Sequence, residues 1–161
     1  TLFFRSAAHA ERLGFDMDVW PNGRFRTATV VGTRPGGGVA AAWATLQHLG
    51  SEGYAAIAAR LMAMVDRYRA GISAIEGLHV HGEPHLSVVA FGASGYDVFR
   101  VAEEMEKRGW VPGLTQRPRG IHRMMSLLHE PAMPGYLSDL AACAAAVRDA
   151  GGPASARRAT Y

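Results

Sequence analysis

The sequence contains one lysine, Lys107, and one cysteine, Cys143, in 161 residues. Any lysine-based chemistry of this chain therefore falls to Lys107 or is absent. The lone cysteine excludes a disulfide within the chain, and its setting among alanines in a helical pattern reads as a small buried thiol rather than a nucleophile. Long apolar runs are missing as well. No stretch approaches the roughly 18 apolar residues that a membrane span needs. The opening Leu2-Phe3-Phe4 meets Arg5 too soon to be a signal-peptide core. No transmembrane segment and a cytoplasmic location are the expectation. A basic stripe is also lacking: the net charge is +3, yet the arginines stand singly apart from Arg157-Arg158. Nucleic acid is accordingly not an expected partner.

What is present is the balance of a globular chain, 48% hydrophobic and 19% charged, enough for one domain with a core or one piece of a larger domain. The first residue is Thr1 rather than methionine, which suggests a processed chain or a segment of something longer. Thr1 to Phe4 reads as a short strand, and Trp20-Pro21-Asn22-Gly23 is turn chemistry. After Gly32-Thr33-Arg34-Pro35-Gly36-Gly37-Gly38, the residues Val39, Trp43, Leu46 and Leu49 recur at helical spacing, and Gly50 supplies a stop. From Glu52, the residues Ile57, Leu61, Met64, Val65, Tyr68, Ile72 and Ile75 predict a long amphipathic helix that Gly77 ends. Downstream the period changes to that of strands at Leu78–His81 and Leu86–Phe91. A helix follows over Tyr96–Arg108, then a strand over Ile121–Leu128 and an alanine-rich helix over Pro134–Ala150. The prediction is a β-β-α-β-α unit beyond one long helix, with a frayed tail. The first 50 residues hold two strands at most, too few for a sheet of their own, so they are expected to belong to a layer that this chain does not complete.

Three groups of residues carry possible chemistry. Glycines let a backbone approach an anion closely, and a helix N-terminus offers unpaired N–H groups with a partial positive charge. The loop around Thr33 is thus a phosphate site in kind, or else a tight loop that merely caps a helix. His79, His81 and His85 do not predict a metal site, because the turn at Pro84 misdirects His85 and no carboxylate pair converges with the other two. His122 and Arg119 share a segment near the last predicted strand, where a structural histidine is an equal alternative.

The succession Trp20-Pro21-Asn22-Gly23, Gly32-Thr33-Arg34-Pro35-Gly36-Gly37, Trp43, Gly50 and Glu52-Gly53-Tyr54 resembles the segment that follows the cofactor lysine in sphingosine-phosphate lyases. Gly77-Leu78, Leu86 to Gly92, Lys107-Arg108-Gly109-Trp110, Pro118 and Ile121-His122 resemble that family's C-terminal domain in turn. The likeness covers roughly residues 1 to 130. Each piece alone is weak, and their order is the specific signal.

The resemblance implies the α/β fold of the pyridoxal-phosphate-dependent transferases (aspartate aminotransferase-like, fold type I) within the group II decarboxylase superfamily. Residues 1–52 would end the large cofactor-binding domain and 53–76 form a linking helix. Residues 77–150 would form the small C-terminal domain, and 151–161 a flexible tail. It implies pyridoxal 5'-phosphate as cofactor, with Thr33, Gly32 and Arg34 at its phosphate, and His122 and Arg119 on the substrate side. Expected partners are a second copy or a complementing N-terminal half, and a small amine or phospho-amine substrate. The Schiff-base lysine would stand upstream of Thr1, and Lys107 falls on a surface helix position. The chain alone would then be inactive, a C-terminal portion of a carbon–carbon lyase cleaving phosphorylated long-chain amino alcohols by retro-aldol chemistry. The alternatives are a fragment of an amino-acid decarboxylase and a non-catalytic assembly module derived from the same fold.

Overall fold

The computed structural model describes residues 4–29 and 31–159. The strand expected at Thr1–Phe4 lies outside them except for Phe4, which is exposed. Two units divide the chain, Thr1–Gly50 and Ser51–Tyr161.

In the first unit the turn chemistry at Pro21-Asn22-Gly23 produces a hairpin. The helical turn α1 (Ala7–Glu11) is followed by β1 (Phe15–Met17) and β2 (Phe25–Thr27), paired antiparallel with Asp16 opposite Arg26. Gly23 takes a φ of 104°, open to glycine, and its amide donates to the Trp20 carbonyl at 2.9 Å. Phe15 and Trp20 flank Phe25 with ring centroids 6.4 and 6.0 Å away. No described residue of this unit is buried. A two-stranded ribbon without a covered face has little of its own to hold it.

The helix α2 (Gly37–Ser73) begins two residues after Pro35 and is interrupted at Gly50, where φ is 58° and ψ is −175°. Its two segments differ in burial. Val39, Trp43 and Leu46 in the first remain exposed, whereas Met64, Val65, Tyr68 and Ile72 in the second are buried. The spacing of the latter four puts them on one stripe of the helix.

The second unit adds β3 (Leu78–Val80), β4 (Val88–Ala93), α3 (Val98–Lys107), β5 (Gly113–Gln116), β6 (Arg119–Met124), a 3-10 turn (Leu127–Ala132) and α4 (Met133–Ala150). The sheet is antiparallel throughout, in the order β3-β4-β6-β5. Two points correct the sequence reading. Strand β5 was not expected, because Pro112-Gly113 and Arg117-Pro118 bracket its four residues with turn chemistry. The last strand runs from Arg119 to Met124 rather than from Ile121 to Leu128, since Ser126 caps the 3-10 turn that takes the chain into α4.

Alternation along the strands sends Val89, Phe91 and Ile121 to one face. There they pack with Phe99, Val101, Ala102 and Met105 of α3, with Leu140, Cys143 and Val147 of α4, and with the buried stripe of α2. Burying each such side chain contributes about 1.5–3 kcal/mol. Burial also pushes the Cys143 thiol above its ordinary pKa. The opposite face carries Val88, Ala90, Gly92, Gly120, His122 and Met124, of which Val88 and Met124 are exposed. The tail from Gly151 has no helix or strand, but it lies along α3. The Ser155 amide donates to Asp97, Arg157 pairs with Glu106 at 2.7 Å, and the Ala159 amide donates to Gln116 at 3.1 Å.

Candidate functional site

The residues expected to meet a phosphate lie in an open loop. Gly32 holds a φ of 70°, a conformation that side-chain-bearing residues rarely adopt, and Thr33, Arg34 and Pro35 are exposed. A Cβ added at Gly32, Gly36, Gly37 or Gly38 would meet nothing within 4 Å. The loop enters α2 with the Ala40 amide donating to the Gly36 carbonyl at 3.0 Å. The amides of Gly37, Gly38 and Val39 precede that first helical bond and have no helical acceptor. The Thr33 hydroxyl makes no hydrogen bond among the described residues. Donors, open space and the positive end of a helix therefore coincide here, the combination an anion requires. Gly32 also borders a hollow of about 480 Å³ walled by Phe15, Phe25 and Val31.

The second pair of candidates stands on β6, in the other unit. Arg119 and His122 are three residues apart on one strand, so they face opposite sides of the sheet. Arg119 is engaged: Nε and Nη2 donate to the two Asp97 oxygens at 3.0 Å each, Nη2 reaches the Ser155 carbonyl at 3.1 Å, and the guanidinium lies 3.7 Å from the Phe99 ring centre. These partners let Arg119 hold β6 and the tail against α3. His122 is half-buried and faces a hollow that His81, Thr115 and Gln116 also line. Sequence reasoning missed these three companions. The signal that could have found them is a set of strand glycines, Gly92, Gly113 and Gly120, standing where histidine rings approach.

Lys107 is exposed and paired with Glu104 at 2.6 Å. No three metal-ligating side chains come together among the described residues. The rings of His79 and His81 lie 5.1 Å apart, edge to face, with His79 Nδ1 turned toward Ser94 Oγ at 3.4 Å. No described helix is long and apolar enough to cross a membrane.

No family model matches the chain. Individual proteins do. Sphingosine-1-phosphate lyase of Arabidopsis thaliana is 37% identical over 134 residues, which is 83% of this chain and 25% of that protein. The enzyme of the same name in Drosophila melanogaster is 33% identical over 147 residues, 88% of this chain and 27% of that protein. The solved Burkholderia pseudomallei sphingosine-1-phosphate lyase superposes with a TM-score of 0.81 at 30% identity, covering 91% of this chain and 34% of that one. The chain is a sphingosine-1-phosphate lyase-like member of the pyridoxal-phosphate-dependent group II decarboxylase superfamily.

It spans about a quarter of the length of the curated lyases it matches. A probable L-aspartate decarboxylase of Thermococcus gammatolerans is 33% identical over 128 residues, 80% of this chain and 32% of that protein. Lactobacillus brevis glutamate decarboxylase, at a TM-score of 0.65 and 12% identity, shares the fold alone. The fold is thus the α/β architecture of the pyridoxal-phosphate-dependent transferases, of which this lyase-like chain covers a part. At the level of the family it belongs to enzymes, named lyases and decarboxylases.

Proposed function

We propose that this chain supplies the C-terminal portion of a pyridoxal-phosphate-dependent carbon–carbon lyase resembling sphingosine-1-phosphate lyase. The reaction would be retro-aldol cleavage of a phosphorylated long-chain amino alcohol to phosphoethanolamine and a fatty aldehyde. The observation that carries this reading is the open glycine loop at Thr33, set in a sequence 37% identical to a lyase of that name. The residues present fit the phosphate end of the cofactor: a hydroxyl and helix-start amides without acceptors among the described residues, the charge of Arg34, and open space at each glycine. They do not include an amine for its aldehyde end, since Lys107, the only lysine, is salt-bridged on an exposed helix. Pyridoxal phosphate would supply an electron sink for cleavage next to the substrate's amine-bearing carbon.

The roles that fall to this chain are binding and positioning. Thr33 and the amides of Gly37 and Gly38 would hold the phosphate, Gly32 would turn the backbone to present them, and Arg34 would add long-range attraction. His122 donates to the substrate. Arg119 keeps β6, and with it His122, in place through Asp97. Without its cofactor lysine the chain by itself would be inactive. Its working form would be a homodimer or an assembly with a complementing cofactor-binding half, which is supported by a first unit that buries none of its described residues.

The test is made on the full-length protein. Thr33→Val removes one hydrogen bond to a charged group, worth about 1.5–3 kcal/mol, so the affinity for pyridoxal phosphate should fall by roughly 10- to 100-fold. Unchanged affinity would remove the loop from the cofactor site. A second reading, amino-acid decarboxylation, is favoured by the identity to the T. gammatolerans decarboxylase. Carbon dioxide released from aspartate or tyrosine, with no aldehyde formed from a phosphorylated sphingoid base, would decide for it.

A further inference from the structure

The sheet face turned away from α3 and α4 carries two half-buried imidazoles in one hollow. His81 and His122 line it together with Thr115 and Gln116, and its volume is about 460 Å³. Neither ring is held by a short hydrogen bond among the described residues, although His81 packs edge to face on His79. The one polar contact of His81 Nε2 is a long 3.4 Å approach to the Arg119 carbonyl, and His122 makes no hydrogen bond among the described residues. Thr115, opposite Gly120 on β6, stands on the same face, whereas Gln116, opposite Arg119, turns to the other face and there accepts from the Ala159 amide.

The backbone beneath is shaped for these rings. A Cβ at Gly113 would stand 2.8 Å from His122 Nε2, one at Gly92 would stand 2.8 Å from His81 Nε2, and one at Gly120 would stand 2.6 Å from the Phe91 carbonyl oxygen and 3.0 Å from His81 Nε2. A glycine inside a strand costs about 0.5–1 kcal/mol relative to alanine. Gly92 and Gly113 become intelligible when each leaves room for an imidazole, while Gly120 makes way first for the Phe91 carbonyl. Against a lining that also includes Ala90, Leu114, Pro118 and Ala159, the polar groups on this face are two imidazoles and a hydroxyl, and the lining holds no carboxylate. A cation would find no counter-charge there, and no third metal ligand joins the two histidines.

We infer that this hollow is an oxyanion site, taking the phosphate or carboxylate of a small molecule, with His81 and His122 as the principal donors and the Thr115 hydroxyl completing the set. This rests on the reading of His122 as a substrate-side residue and deepens it: the group that reaches the small sheet is the anionic end of the ligand.

The test reads the histidine ring signals of the 161-residue chain by NMR while inorganic phosphate, and separately acetate, is added at constant ionic strength. The His81 and His122 signals should move together and saturate with one dissociation constant, while those of His9 and His48 in the first unit stay in place. Saturation by phosphate alone assigns a phosphate monoester, and saturation by acetate alone assigns a carboxylate. His122→Ala and His81→Ala should each weaken binding at least tenfold. Gly113→Ala, which leaves the donors intact and places a methyl group against the His122 ring, should do so as well. Shifts that rise linearly at all histidines, or an affinity unchanged in both histidine variants, would overturn the site. Those outcomes leave cofactor binding at the Thr33 loop untouched, because that is read on other residues by another ligand.

Discussion

Asp97 and Arg119 meet at two points, each 3.0 Å, and the same carboxylate caps α3 through the Phe99 amide at 3.1 Å. The Ser155 amide completes its set of donors, so one side chain ties together a helix start, a strand start and the tail.

Asp97→Asn should therefore destabilise the second unit at neutral pH by about 2–3 kcal/mol, since the pair is mostly shielded and its loss strands a guanidinium. Burial alone would raise the Asp97 pKa, but Arg119 and the amides of Ser155 and Phe99 outweigh it and hold the carboxyl below its ordinary value of 3.8. A group depressed in the folded state contributes fully above its unfolded pKa, and that contribution fades as pH falls through the folded one. The gap between wild type and variant in urea unfolding should be wide at pH 7 and narrow at pH 2 to 3. An equal gap at both would show that the charge is not what Asp97 contributes.

Gly77 follows the end of α2 with a φ of 82°, and a Cβ there would stand 2.5 Å from the Tyr96 ring and 3.1 Å from the Ser94 carbonyl. Gly77→Ala should cost about 2–3 kcal/mol by strain and overlap combined. Adding Tyr96→Ala should recover only the overlap, so thermal melting of the double variant would fall short of the sum of the two single losses. Full additivity would mean that the ring yields freely.

The two segments of α2 should exchange their amide hydrogens at different rates in the isolated chain. Val39 to Leu49 have no buried neighbours in the first unit, whereas Val65 to Ile72 sit in the core of the second. Exchange measured by mass spectrometry on peptides should be at least about 100-fold faster in the first segment. Equal protection would show that the first segment carries structure of its own.

Lys107 should behave toward pyridoxal phosphate as a free surface amine. Borohydride trapping followed by peptide mass spectrometry should find labelling that rises in proportion to the reagent and does not saturate. Lys107→Arg should leave the reversible binding of pyridoxal phosphate unchanged. Saturable labelling with amine-dependent turnover would make this residue the cofactor lysine after all.

The parts of the fold that were legible in the sequence are those where one local rule dominates. Met64, Val65, Tyr68 and Ile72 announce their helix by spacing alone, and Trp20 to Gly23 announce their turn by composition. Strand β5 was hidden because its four residues are outnumbered by flanking turn formers, and only pairing with β6 makes them a strand. The Thr33 loop was legible because glycine and a helix start are local signals. The state of Arg119 was not, since the partners that occupy it lie 22 positions before it and 36 after. The companions of His122 were likewise invisible, being brought beside it by antiparallel pairing across three strands.

The glycines under the histidine rings also set a rule for how this sheet can drift. Positions 92 and 113 are each closed to larger residues by an imidazole from the adjoining strand segment, so the two kinds of position must change together. A related chain that acquires alanine at the equivalent of Gly113 should have given up its imidazole at the equivalent of His122, and one that keeps the imidazole should keep the bare backbone beneath it.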